Sequence, residues 1–194
     1  TLDEHYSDLA HHYTRSGNTE KAVEYLHLAG QQAVQRSANV EAVTHLRTAL
    51  DLLNTLSDTR ERAQQELTLH LTLGAPLQAI RGVASSEVRS VYTRARELCQ
   101  QMGETRQLFP VLFGLRMFHQ VRGEFLMARE LAEQLLGLAQ REQDPTLLME
   151  AYRALGSASF HLGEFGAAQT YLEQSLTLYD TQHHRSLVFL SGRE

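Results

Sequence analysis

Residues 147–180 read LLMEAYRALGSASFHLGEFGAAQTYLEQSLTLYD, and the spacing of apolar and small residues in this stretch decides the fold. Leu148, Tyr152, Leu155, Ser159 and Leu162 step by three or four residues, the repeat of one helix face. After Gly163 the same step resumes at Phe165, Ala168, Leu172, Leu176 and Tyr179. The stretch therefore encodes two amphipathic helices joined by a tight turn. Gly163 suits the left-handed residue that ends the first helix, and the small Ala168 lets the second approach its neighbour closely. Upstream, Asp144-Pro145 places an N-cap acid before a first-turn proline, an ordinary helix start.

The unit recurs. A glycine followed five residues later by an alanine stands at Gly17/Ala22, Gly123/Ala128 and Gly163/Ala168, and Arg122-Gly123-Glu124-Phe125 lies 40 residues before Leu162-Gly163-Glu164-Phe165. With Tyr152, Leu155, Gly156, Gly163, Ala168 and Leu172 on motif positions 4, 7, 8, 15, 20 and 24, the stretch resembles a tetratricopeptide repeat, from which Ser159 and Ser175 depart. Tyr6, Leu9, Ala10, Tyr13, Gly17, Ala22, Leu26 and Ala29 reproduce the spacing near the N-terminus. Between these copies the units degenerate. Ala42, Leu46 and Ala49 echo Ala22, Leu26 and Ala29 only 20 residues on, so one helix serves as the second of one pair and the first of the next. The predicted elements are nine helices, at 2–16, 19–36, 39–56, 59–80, 85–102, 105–121, 124–141, 145–162 and 165–180. They imply an all-α chain: a single α-solenoid of antiparallel pairs over 1–194, with no linker or low-complexity tract.

Composition agrees. Three prolines in 194 residues fall well below the usual ~5% share, as long helices require. One cysteine, Cys99, excludes an internal disulfide framework and, with no CxxC pair, a structural zinc tetrad, which points to the cytoplasm. No apolar run approaches the ~18 residues of a membrane span. The one lysine, Lys21, precedes Ala22, so there is no phosphate-binding GxxxxGK[ST] loop. The chain starts at Thr1 and ends just after the apolar patch Leu187-Val188-Phe189-Leu190, which has no partner segment following it. This reads as a fragment of a larger multidomain protein, with self-association expected at the C-terminal end.

No residue constellation supports catalysis, a cofactor or a metal. Of ten histidines, His11-His12 and His183-His184 are adjacent pairs that diverge by about 100° on a helix and cannot chelate together. Glu4, Asp8 and His12 share one face but read as solvated charge. Glu124 and Glu164 read as first-turn acids complementing helix dipoles. A net charge of −5, with Arg89, Arg94 and Arg96 interleaved by acids, disfavours nucleic acid. What remains is a binding surface. Stacked helix pairs curve around a groove lined mainly by first helices. The motif's outward positions are Pro110, Phe113, Met117, Gln120 and Val121 in one unit, and Glu150, Arg153, Ser157, Phe160 and His161 in the next. Phe113, Met117 and Phe160 are candidate anchors for a peptide or neighbouring domain, with Arg153 pairing to a ligand carboxylate. The competing reading is that degenerate packing buries the apolar three.

Beyond the generic repeat, Gly82-Val83-Ala84-Ser85-Ser86-Glu87-Val88, Tyr92 through Gln101, Gln107 through Leu112, Ala128-Arg129-Glu130-Leu131 and Tyr179-Asp180 through Ser186 resemble the helical-repeat tail of large bacterial signalling ATPases, including adenylate/guanylate cyclase-type proteins. The resemblance implies a non-catalytic regulatory scaffold that engages a peptide, a partner protein or its own NTPase domain. The alternative it leaves open is a small-molecule effector-binding solenoid, as in ATP-dependent transcription activators. No phosphate-loop or cyclase metal residue is present to carry over.

Overall fold

The helix boundaries follow from caps. A computed structural model describes residues 5–103 and 106–179, and among them there are nine helices and no strand. They are α1 (Tyr6–Ser16), α2 (Thr19–Gln35), α3 (Asn39–Leu53), α4 (Arg60–Arg81), α5 (Ser86–Met102), α6 (Leu108–Val121), α7 (Phe125–Glu142), α8 (Pro145–His161) and α9 (Phe165–Thr177). Asn18, Thr59, Ser85 and Asp144 accept backbone N–H groups from the first turns of α2, α4, α5 and α8, satisfying donors the helix itself leaves open. Gly123 and Gly163 turn the chain between α6 and α7 and between α8 and α9 at φ 76° and 80°, where a Cβ would be strained.

Three predicted boundaries move. The third helix ends at Leu53 instead of 56, because Thr55 and Leu56 donate to the carbonyls three residues back and tighten the chain into a turn. The ninth ends at Thr177, where Leu178 and Tyr179 make the same three-residue bonds. The sixth begins at Leu108, three residues later than expected. The start of the first helix, Glu4, His183-His184 and the patch 187–190 lie outside the described residues.

Each helix packs on the next along the chain, giving an α-solenoid. Alternate helices then meet in two layers. His27 to Thr72 (3.1 Å), Gln64 to Gln107 (3.1 Å) and Gln120 to His161 (3.0 Å) link α2, α4, α6 and α8. Ser7 to His45, Arg47 to Glu87, Arg96 to Gln134 and Arg129 to Glu164 link α1, α3, α5, α7 and α9. Because α2 contacts both α1 and α3 while lying in the layer of α4, it is shared between two pairs, as its sequence predicts.

Small residues set the spacing between layers. The motif alanines Ala22, Ala128 and Ala168 are buried, and a Cβ on Gly156 would lie 2.6 Å from Leu172 Cγ. Tyr92 of α5 fits between two glycines: a Cβ on Gly74 or Gly114 would lie 2.3 or 2.4 Å from its ring or hydroxyl. Burial there pushes the Tyr92 phenol up to about 12, and Gln78 Nε2 donates to it at 3.2 Å. On α9, the predicted apolar stripe is largely uncovered: Ala168 and Ser175 are buried, while Phe165, Leu172, Leu176 and Tyr179 are exposed. Helix α8 covers only one side of α9, where Ser175 Oγ donates to the Met149 carbonyl at 3.0 Å in place of the alanine packing of the motif.

Candidate functional site: the α6/α8 face

The outward positions converge where α6 and α8 run side by side. Glu150, Arg153, Ser157 and His161 are spaced three and four residues apart and form one stripe of α8. Their neighbours on α6 are Phe113, Met117 and Gln120. The two stripes touch at both ends: the Arg153 guanidinium sits 5.8 Å from the Phe113 ring, and the Gln120 amide nitrogen lies 3.0 Å from His161 Nδ1. His161 also stacks on Phe125 at 4.7 Å.

One of the predicted roles changes. Arg153 is already paired, through Nε to Glu150 Oε2 at 3.0 Å and a second guanidinium contact to the same oxygen, so its carboxylate partner is internal. Phe160 is 56% exposed and stands beside the stripe, making edge contacts with Phe165 at the start of α9 and with His161. The packing question divides: Phe113 and Met117 are half-buried between the helices, and Phe160 is exposed.

Arg116 was not among the predicted residues. It is 2% exposed, and burial, then the charge of Arg153, pull its guanidinium down to about 10, with Glu150 acting the other way. Its terminal nitrogen donates to Met117 Sδ, its plane lies 5.1 Å from the Phe113 ring, and its Nε–H has no acceptor. Among the described residues no carboxylate forms an ion pair with it. A signal for this residue is present in the repeat register. Arg116 stands 40 residues before Gly156, the small position that faces Leu172, and the α7 counterpart of Leu172 is Ala132. One repeat pairs glycine with leucine, and the other pairs arginine with alanine.

A second buried charge cluster joins α4 to α5. Glu66 is buried and takes a two-pronged contact from Arg94 at 2.7 and 3.3 Å, with Arg62 at 3.8 Å and His70 at 3.7 Å. Burial holds the His70 imidazole below its ordinary value, as it does His27. Asp58 and Glu97 complete the balance of the Arg62 and Arg94 charges, and although His70 Nδ1 has no partner the cluster reads as a structural clamp.

The remaining candidates separate. Glu124 and Glu164 do occupy N-cap positions, but their side chains turn to basic partners: Glu124 to Arg122 (2.7 Å) and His119, Glu164 to Arg129 (2.8 Å). The Arg122 and His119 contacts hold the Glu124 carboxyl below the usual range. Cys99 is buried. Among the described residues there is no group of three or more His, Cys, Asp or Glu able to hold a metal ion, and no helix is long and apolar enough to cross a membrane. A cleft of about 290 Å³ opens at another edge of the array, lined by Arg106, Phe109, Leu138, Glu142, Asp144 and Leu147.

No family profile matches the chain. The uncharacterized protein R02095 of Rhizobium meliloti (strain 1021) is 28% identical over 174 residues, which are 89% of this chain and 17% of that protein, so the chain spans about a sixth of the relative's length. Among solved structures, the crystal structure of BtubC (BKLC) from P. vanneervenii superposes with a TM-score of 0.70 at 16% identity, covering 90% of this chain and 78% of that one. The likeness is one of fold: a helical array of the same kind.

Proposed function

We propose that this chain is a non-catalytic interaction scaffold whose α6/α8 face takes a peptide or a surface of another domain. The observation that carries the reading is the meeting of Phe113, Met117, Gln120, Arg153 and His161 on one face, with half-buried apolar groups beside charged ones. That mixture is what the core of a protein–protein interface offers, where aromatic, Met and Arg side chains are enriched. In the array each helix uses its apolar stripe on its neighbours, so residues left between alternate helices of one layer are the ones free to recognise something else. Following the resemblance to the tails of bacterial signalling ATPases, the occupant we favour is the protein's own NTPase module or a partner that regulates it. The match of this chain to a sixth of a long relative supports a role as one part of a larger protein.

Photo-crosslinking tests the reading in cells that express the full-length parent. A benzoylphenylalanine at Ser157 or Phe160 should form a discrete adduct, identified by mass spectrometry, that the same group at exposed Val40 on α3 does not. Polar substitution of both Phe113 and Phe160 should abolish the Ser157 adduct with helicity unchanged. Adducts of equal yield at all three positions, or none at the α8 positions, would refute the scaffold reading.

A further inference from the structure

We propose that Arg116 anchors a carboxylate carried by an acidic peptide segment, which takes the guanidinium over from the Met117 thioether. The proposal rests on the α6/α8 face being a binding surface and names the chemistry that the face selects. A buried arginine is ordinarily matched by an acid, because an uncompensated cation away from water is costly. Here the described part of the protein supplies a thioether, a weak acceptor, and leaves the Nε–H with nothing. The imbalance extends to the neighbours. Arg116 and Arg153 both contact the Phe113 ring, while the one acid beside them, Glu150, is engaged by Arg153. Two guanidinium groups and one carboxylate leave a single positive charge to be matched.

Gln120, one turn along α6, adds a second donor. His161 Nδ1 lies 2.8 Å from the Ser157 carbonyl oxygen and 3.0 Å from the Gln120 amide. A carbonyl requires Nδ1 to carry the proton, so the Gln120 group facing it must be its oxygen. Turning the amide accordingly places its NH₂ at the buried site where the other amide atom has no partner. The face then holds two donors without acceptors, Arg116 Nε–H and the Gln120 amide.

Packing alone does not require this arrangement. At the equivalent place the next repeat uses Gly156, and leucine or methionine would fill the space without carrying a charge inward. A carboxylate suits the open donors in chemistry: the planar guanidinium fork matches it, and one negative charge is what the pair of arginines lacks. The half-buried Phe113 and Met117 would contact an apolar residue flanking the acid. Met117, flexible at three bonds, can swing aside without disturbing the backbone.

The test follows the Arg116 Nε–Hε resonance in isotope-labelled protein during titration with acetyl-Phe-Glu-Phe-amide, its Gln isostere, and phenyl phosphate. The expected result is a saturable shift with the acidic peptide, with affinity at least about tenfold weaker for the Gln isostere and for Arg116→Lys, the latter read from the Gln120 side-chain amide resonances. Binding should tighten in Met117→Ala, which removes the competing thioether. A resonance unmoved by the acidic peptide in both wild type and Met117→Ala, or moved equally by the Gln peptide, would overturn the proposal, and tighter binding of phenyl phosphate would replace carboxylate by phosphate. Specific crosslinks without a carboxylate response would refute the anchor and leave the scaffold reading standing. A carboxylate response without crosslinks would do the reverse.

Discussion

Replacing Arg116 by methionine should make the isolated protein more stable. Burial and the neighbouring Arg153 pull the guanidinium from its ordinary value down to about 10, which corresponds to roughly 3 kcal/mol at 1.36 kcal/mol per pH unit. The sign follows from the direction: the cation is less favoured folded than unfolded, so the penalty is complete at neutral pH and lifts only as pH rises through about 10. Methionine removes the charge and keeps most of the side-chain volume. It forfeits the guanidinium–Phe113 contact, worth about 1 kcal/mol. The net expectation is a gain of roughly 2 kcal/mol, which for a chain of this size raises Tm by about 4–8 °C. Circular dichroism melts of wild type and Arg116→Met at pH 7.5 measure it. Alanine is the wrong control, since its cavity would destabilise the protein whatever the charge does. A fall of Tm by more than about 2 °C in the methionine variant would mean that the native structure already holds the guanidinium well, and the premise of an unmatched charge would fail.

Three further outcomes follow from the packing and the charges. Gly114→Ala and Gly74→Ala should each cost about 1–3 kcal/mol in urea unfolding despite alanine's better helix propensity, because the new methyl would meet Tyr92; Tyr92→Phe should relieve part of the Gly74 cost, where the hydroxyl is the nearest atom, and none of the Gly114 cost. Equal relief in both double-mutant cycles would contradict the wedge geometry. Glu66→Gln should lose about 2–4 kcal/mol, since Arg94 and Arg62 would be left around a neutral group, whereas Glu97→Gln at the exposed end of the same arginine should change stability by less than about 0.5 kcal/mol. Because burial lowers His27 and His70, the unfolded chain binds protons that the folded one does not, so stability is held above about pH 6.5 and declines as pH falls below it. Melts at pH 7.5 and 5.5 should show the drop, and His27→Gln with His70→Gln should shrink it.

What the sequence makes legible is whatever depends on local spacing. Gly163 and Ala168 locate a turn and a close helix contact without reference to anything far along the chain, and Asp144-Pro145 marks a helix start for the same reason. The stripe of Glu150, Arg153, Ser157 and His161 is likewise a matter of helical period, and its juxtaposition with Phe113 and Gln120 follows once the 40-residue register is known. Arg153 shows where that reading stops: its partner, Glu150, sits three residues away on the same stripe, and only coordinates show that the two pair. Phe160, seven residues after Arg153, adjoins the stripe by the same period, and only coordinates show that it also meets Phe165 of α9. Glu66 is harder still, since its principal partner Arg94 is 28 residues distant on another helix. Arg116 was readable in principle, as a large cation on a register position that the neighbouring repeat gives to glycine.

That last contrast is why the proposed binding site is placed on α6. In a linear array, stability comes from repeats that satisfy their neighbours, and each position is tuned to the one 40 residues away. Where one repeat has glycine and leucine at these register positions, the other has arginine and alanine, and the arginine brings a charge that its surroundings do not match. Glu66 shows that this protein can bury a charge and match it fully, with three basic groups from two helices around one acid. The difference between the two sites therefore lies in what surrounds the charge. At Glu66 the charge itself is matched and only the uncharged His70 Nδ1 is left open; at Arg116 the charged group is left open beside an aromatic ring and a movable methionine. An imbalance of that kind, set in a fold otherwise consistent from propensity to packing, is the local violation on which the proposed binding site rests.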